Sequence, residues 1–251
     1  MKKIAALALI FLLGFLTFRS CNSSDSHIEW LVNSKLKEIK IREKNINREV
    51  KEIIRRRTVA VVTSDGLGSG VAVSPSGHII TAQHVVGDKC DPGLKIIFSD
   101  GSEIGASNIT IVYSNEKSDF ALLKTNKQLL DFAPLVSSVE MKNLEGGDKL
   151  WLCGNSYTIS LLLVSEITFL ASSRDSVPID QRSLSFDNFN GPGGSGGGLF
   201  TKTGGLVGMY LGAKWETGFP SVGRALHIDS IRFFLEKHNV DYRFLADYSN
   251  L

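Results

Sequence analysis

Cysteine is scarce: the 251-residue chain has three, Cys21, Cys90 and Cys153. No CxxC pair and no His/Cys spacing of the zinc-holding kind occurs, so no metal is indicated and no cofactor is expected. Three thiols cannot all pair with one another. With Cys21 removed or modified, Cys90 and Cys153 are left, either as a disulfide in an oxidising compartment or as two separate thiols; both stay open. Charge of one sign is also lacking, since 28 Lys+Arg against 26 Asp+Glu leave a net +2. The densest basic run, Arg55-Arg56-Arg57, has no interleaved aromatics and reads as the end of a solvated helix, which argues against nucleic acid as a partner. Disorder of the whole chain is excluded by a hydrophobic content of 43%, enough for one large β domain or two small lobes.

Long apolar runs are limited to one. Lys2 and Lys3 precede IAALALIFLLGFLTF, Ile4 to Phe18, 15 residues that stop at Arg19. That length suits a secretory segment better than a bilayer span of about 20 residues. Residues 1–20 are therefore expected to export the chain to a periplasmic or other extracytoplasmic space. Three fates stay open: cleavage, retention as a membrane tether through residues 4–18, and lipidation at Cys21.

From Ile28 to Arg57, apolar positions Ile28, Leu31, Val32, Leu36, Ile39, Ile46, Val50, Ile53 and Ile54 recur at three- and four-residue steps. This predicts an amphipathic stalk over 28–57, as one helix or two, with self-association through imperfect heptads as the sharper option. At Thr58 the period changes. TVAVVTSD, GSGVAVSP, HIITAQHVV, LKIIFSDG, ITIVY and DFALLK are short β-branched runs cut by Asp-Gly, Pro-Ser-Gly and Asp-Pro-Gly turns. A polar stretch, Thr125 to Gly147, separates them from DKLWLCG, ISLLLVSEITFLAS, SLSFDNF, GGLFTK and GGLVGMYLG. Two β-rich halves, 58–125 and 146–228, predict two small barrels or sandwiches with a cleft between them. IDSIRFFLEKH then has helical spacing, so 228–251 is expected to form a helix and tail.

GPGGSGGGLF, Gly191 to Phe200, places six glycines around Ser195. Such a run is either a linker or a turn in which amide groups converge where side chains would block them; the flanking strands favour the turn. His84 closes HIITAQHVV and Asp119 opens the apolar strand SDFALLK. Asp88, Asp91 and Asp100 lie in turn signals and are explained by them. An acid leading an apolar strand needs a partner. The order His, Asp, Ser is one of the known orders of a hydrolytic triad and differs from that of the α/β-hydrolases, which disfavours an esterase.

GSGVAVSPSGHIITAQHVV, SDFALLK and GPGGSGGGLF followed by GGLVGMY together resemble the trypsin-like serine peptidases, most closely the bacterial HtrA or Deg branch, over Thr58 to Leu235. The resemblance implies an all-β domain over 58–235, made of two six-stranded antiparallel barrels with the active site between them. It implies an endopeptidase acting on polypeptides, with Ser195 as nucleophile, His84 as base and Asp119 as the residue that orients His84. The N–H groups of Gly193 and Ser195 would form the oxyanion hole. Phe189, Leu211, Gly212 and Ala213 would border the substrate; none is acidic, so small or medium apolar residues are expected at the cleavage site rather than Lys or Arg. A peptide would pair as an added strand along Tyr210 to Ala213. Gly194 departs from the pattern, standing where digestive members carry Asp and the HtrA branch usually carries Asn. This argues against activation through a freed N-terminus and makes a collapsed oxyanion loop an option. The alternative reading is a catalytically silent fold that binds peptides or acts as a chaperone. Sixteen residues follow Leu235, so no PDZ module is expected. A homo-oligomer is a further expectation of the branch.

Overall fold

The computed structural model describes residues 25–155, 162–173, 177–187, 193–214 and 222–245, with side chains from residue 33 onward. Residues 1–24, which carry the export, tether and lipidation alternatives, lie outside the described residues, as does Phe189. Among the described residues no helix is long and apolar enough to cross a membrane.

The amphipathic period from Ile28 to Arg57 folds as a single helix, α1 (Asp25–Arg57). Two compact units divide within it, at Ile46/Asn47. In the first, Leu36, Ile39, Ile41 and Ile46 are exposed. In the second, the last turns of α1 are packed: Ile54 is fully buried, Arg55 Nε donates to Leu162 O at 3.2 Å, and an Arg57 guanidinium nitrogen donates to Gly204 O at 3.1 Å. Thr58 Oγ1 donates to Ile54 O at 2.9 Å, satisfying a carbonyl that the end of the helix leaves open.

Strands β1 (Thr58–Val62), β2 (Leu67–Ala72) and β3 (His78–Thr81) follow, then one helical turn, α2 (Gln83–Val86). Strands β4 (Lys95–Ile97), β5 (Glu103–Gly105), β6 (Ile109–Asn115) and β7 (Phe120–Thr125) complete a seven-stranded antiparallel sheet, ordered β5-β4-β1-β2-β3-β7-β6. This corrects the expectation of a first six-stranded barrel, because the sheet has seven strands and stays open. Its edges, β5 and β6, are consecutive in the chain, but the 3-10 turn Ala106–Asn108 between them rounds a corner instead of forming the hairpin that would pair them.

The alternation of side chains gives this sheet two cores. Val59, Val61, Ala72, Ile79, Ala121 and Leu123 pack on one face; Val71, Ile80, Phe120 and Leu122 pack on the other, against the second half of the chain.

A short helix, α3 (Ser138–Lys142), interrupts the polar stretch after β7; Ser137 and Glu140 form its capping box. Strands β8 (Lys149–Asn155), β9 (Leu162–Ser172), β10 (Ser183–Asp187), β11 (Gly198–Phe200), β12 (Leu206–Lys214) and β13 (Val222–His227) close into the expected barrel, ordered β10-β13-β12-β11-β8-β9. Helix α4 (Ile228–Lys237) follows directly, with His227 Nδ1 accepting from the Asp229 N–H at 2.9 Å as its N-cap. The Phe234 ring of α4 stacks on Phe120 at 4.5 Å between centroids, so this helix ties the barrel to the open sheet.

Helix α1 thus yields a differential test. Ile54→Ala should cost about 2–5 kcal/mol, as for a large aliphatic removed from a packed core, whereas Ile39→Ala should stay within about 0.5 kcal/mol. Urea titration followed by circular dichroism measures both.

Candidate active site

Strand β3 ends at Thr81, and the single turn of α2 that follows carries His84, whose ring is about half exposed. Asp119 lies just before β7. Its two carboxylate oxygens both receive His84: Nδ1 lies 2.8 Å from Oδ2, and the backbone N–H donates to Oδ1 at 3.0 Å. Gripping one residue at ring and backbone fixes the imidazole plane as well as its tautomer. Asp119 adopts φ +50°, a left-handed conformation unusual outside glycine. That geometry costs on the order of 1 kcal/mol for a non-glycine residue and persists only where its surroundings enforce it.

The pair shifts both titrations. The hydrogen bond to Asp119 raises the His84 pKa, burial opposes it, and the carboxylate charge adds to the rise. Burial alone would raise Asp119; the side-chain and backbone hydrogen bonds from His84 outweigh it and leave the carboxyl below its ordinary value.

Ser195 is half-buried in the glycine turn. Its carbonyl accepts from Ser69 N at 2.7 Å, the Ser69 hydroxyl donates to Gly193 O at 2.8 Å, and the same hydroxyl accepts from Asn155 N at 2.7 Å. Ser69 O in turn accepts from Thr81 Oγ1 at 2.6 Å. Ser69 therefore spends every polar group it has, its N–H and hydroxyl joining β2 to the glycine turn, the hydroxyl also receiving β8 and the carbonyl receiving β3. The sequence reasoning passed over it; a serine flanked by Gly68 and Gly70 in a buried strand was the available signal.

The glycines are there because the backbones touch. A Cβ at Gly193 (φ +95°) would stand 2.2 Å from Asn155 O, one at Gly196 (φ +86°) would stand 2.0 Å from Ser69 O and 3.0 Å from Ala82 N, and one at Gly197 would stand 2.3 Å from Cys153 O. The contact with Ala82 sets the serine turn against the chain two residues before His84. Gly196 N donates to Tyr210 O at 2.8 Å and Tyr210 N to Gly197 O at 2.7 Å, anchoring the far side of the turn on β12. Among the described residues, the N–H groups of Gly193 and Ser195 and the Ser195 hydroxyl have no hydrogen-bond partner.

Leu211, Gly212 and Ala213 line one groove, of about 290 Å³, together with Asp119, Glu116, Lys117 and Arg224. From Gly208 to Lys214 strand β12 pairs with β13 on one side, with a bulge at Leu211. On its other side the pairing with β11 and the bonds of Tyr210 stop before Leu211. Among the described residues the bare edge is therefore Leu211 onward, one residue shorter than the expected Tyr210 to Ala213. A second groove, about 440 Å³, is lined by His84 together with Thr63, Asp65, Val85, Asp88, Lys89 and Asp91. Cys90 and Cys153 are both free thiols; burial pushes the Cys153 thiol up to about 12.

A closed six-stranded barrel beside an open antiparallel sheet, with a carboxylate-held histidine on the sheet and a serine in a glycine turn of the barrel, defines a chymotrypsin-like scaffold. The chain belongs to the family called Trypsin-like peptidase domain, which matches residues 68–209, more than half of its length. It is similar to a protein of Pseudomonas fluorescens named "Probable periplasmic serine endoprotease DegP-like", 29% identical over 66% of this chain and 33% of that protein. A protein of the same name from Hahella chejuensis is 31% identical over 64% of this chain and 33% of its own length. The chain thus spans about a third of the curated relatives it matches. Among solved structures, a serine endoprotease from Yersinia pestis aligns with a TM-score of 0.63 and 24% identity over 76% of this chain and 65% of that one. The "HtrA-type protease AlgW with tripeptide" aligns with a TM-score of 0.64 and 21% identity over 77% and 64%.

The pair's shifts carry a sign that solution measurement can check. With His84 raised and Asp119 lowered, the pair's stabilisation is full between the unfolded carboxylate and imidazole values, about pH 4 to about pH 6.5. It declines as pH rises through the folded His84 value and as pH falls through that of Asp119. Asp119→Asn should therefore move the His84 midpoint downward and flatten the pH dependence of the melting temperature above about pH 6.5; NMR titration of the imidazole and thermal melts across pH read the two effects.

Proposed function

We propose that the chain is a serine endopeptidase of the HtrA branch, its domain spanning Thr58 to Leu235, with Ser195 as nucleophile, His84 as general base and Asp119 as its orienting acid. The observation that carries this reading is the two-point grip of Asp119 on His84, set beside a serine turn whose neighbouring N–H groups are unspent. A serine hydroxyl is a weak nucleophile at neutral pH and needs a base within hydrogen-bond reach. His84 takes its proton as Oγ attacks the peptide carbonyl. The carbonyl oxygen becomes an oxyanion, received by the N–H groups of Gly193 and Ser195, each such donor being worth about 3–4 kcal/mol. His84⁺ then protonates the leaving amine, and water clears the acyl-enzyme by the reverse sequence.

The bare edge from Leu211 suits a peptide bound as an added strand, and the absence of an acid among Leu211, Gly212 and Ala213 favours small or medium apolar residues over Lys or Arg at the cleavage site. The relatives' names support an extracytoplasmic location. Protein quality control there, a tether through residues 4–18 and a homo-oligomer belong to the same reading.

One observation favours a second reading. Because the Ser195 hydroxyl is unbonded among the described residues and Gly194 replaces the residue that usually precedes the nucleophile, a silent peptide-binding fold is the alternative.

A fluorophosphonate probe separates the two. The endopeptidase reading expects wild type to be labelled and Ser195→Ala not, with peptide turnover lost by on the order of 10⁴-fold or more. It also expects the labelling rate to rise with pH through a midpoint above about 6.5, where His84 becomes neutral. Absence of labelling in native wild type at every pH overturns it in favour of the silent fold.

A further inference from the structure

Asp119 holds a left-handed turn that it does not itself explain. The turn runs from Asn115, the last residue of β6, to Asp119. Asn115 Oδ1 accepts the Ser118 N–H at 3.0 Å, and the Asp119 N–H donates to Glu116 O at 3.1 Å. Only the first of these contacts comes from a side chain. With Oδ1 turned inward, Nδ2 faces the other way and donates to the Tyr113 hydroxyl at 2.9 Å, so both ends of the amide are used.

Tyr113 reaches that place through a register break. Along β6, Ile109 and Ile111 pack into the sheet's own core, and unbroken alternation would send Tyr113 there too. Instead Ile111 pairs with Leu123 and Tyr113 with Leu122, leaving Val112 as an extra, exposed residue. The bulge flips the strand by one face and aims Tyr113 at the opposite core. There its ring lies 5.4 Å from Phe234 and 4.6 Å from His238, on α4 and its C-cap, and 6.4 Å from Phe120.

We propose that Asn115 is a positioning residue for the Asp119–His84 pair, its amide holding the left-handed turn that aims Asp119, with Tyr113 anchoring that amide to the C-terminal helix. The role rests on the endopeptidase reading for its catalytic meaning, yet the geometry of the pair can be measured without turnover. Asn115 touches neither His84 nor substrate and acts through the turn.

The charged groups around the pair are Asp65, Asp88, Lys89 and Asp91 along one groove and Glu116, Lys117 and Arg224 along the other. Asn115→Ala alters none of these charges, so a shift in the His84 titration would report the lost aim of Asp119. Asn115→Asp keeps both contacts, since a carboxylate can accept from Ser118 N–H and from the Tyr113 hydroxyl. Its added charge can only move the midpoint up.

The experiment is an NMR titration of His84 in the full chain, beside steady-state kinetics on a peptide substrate and a fluorophosphonate labelling control. Asn115→Ala should lower the His84 midpoint toward its ordinary value and reduce kcat by about ten- to a hundredfold with KM little changed. Asn115→Asp should hold the midpoint at or above wild type, and Tyr113→Phe, which keeps the ring and loses the hydroxyl, should move it in the direction of Asn115→Ala by less. A midpoint unchanged from wild type in Asn115→Ala overturns the proposal. So does an equal fall in Asn115→Asp, because the acceptor for the Ser118 N–H would then be present without holding the pair. If Asn115→Ala does not fold, Tyr113→Phe decides by the same midpoint. The expected midpoint shifts in a wild type that takes no label would leave the positioning role intact and overturn only the endopeptidase reading.

Discussion

Ser69 is the constraint on which the arrangement depends. Fully buried on β2, it spends its N–H, carbonyl and hydroxyl on Ser195, Thr81, Gly193 and Asn155. The open sheet supplies the histidine and the closed barrel supplies the serine, so a polar joint between them sets the relation of one to the other. Such a joint holds only while fully satisfied, since an unpaired buried polar group costs more than a satisfied one returns. This is also the reason for the glycines. Ser69 O stands where the Cβ of Gly196 would be, so a side chain there would push the sheet and the barrel apart. The oxygens of Asn155 and Cys153 on β8 leave no room for a Cβ at Gly193 and Gly197 within the barrel itself.

The second support is the two-faced sheet. Strand β7 alternates cleanly, Phe120 and Leu122 to the shared core and Ala121 and Leu123 to the sheet's own. Strand β6, beside it, has to change sides, and the bulge at Val112 accomplishes that within one residue. The strands meet in the turn that carries Asp119, which is thus held from both cores. A close-packed interior transmits strain, and the rings of Phe120, Tyr113 and Phe234 pack together directly behind the turn.

The sequence made local chemistry legible and long-range register illegible. His84, Asp119 and Ser195 stood out because a helical turn after a strand, an acid heading an apolar run and a glycine turn each leave a signature within a few residues. The structure brings His84 and Asp119 into contact and sets the Ser195 turn against Ala82. Ser69 left no such mark because its partners lie across a sheet boundary, and Asn115 left none because the tie of Tyr113 to the C-terminal helix depends on a bulge at Val112 that no alternation pattern announces. Strand β13 was missed because VGRALH has glycine and arginine where a strand pattern wants apolar residues; Gly223 is required there by the Phe186 ring, 2.2 Å from where its Cβ would stand. Helix α3 was readable, since Ser137 and Glu140 spell a capping box, but it sat inside a stretch judged by polarity. Closure of the first barrel failed for a different reason: whether two sheet edges meet depends on the corner at Ala106–Asn108, whose geometry no propensity encodes.

The electrostatics and the hydrogen bonds divide the site into a finished part and an unfinished one. A base works best with a pKa near the working pH, because a higher value strengthens the base while reducing its neutral fraction. Asp119 raises His84 above its ordinary value, and burial restrains the rise. The pair is therefore set before any peptide arrives. The serine turn is different: its carbonyls at Gly193 and Ser195 are tied to Ser69, while its two N–H groups and its hydroxyl remain unspent among the described residues. The Gly196 N–H is spent on Tyr210 O at the far side of the turn, and with glycine at position 194 the backbone has more freedom than any other residue would allow there. Variation in activity across this scaffold is accordingly expected to arise in the turn around Ser195, with the His84–Asp119 pair as the fixed reference.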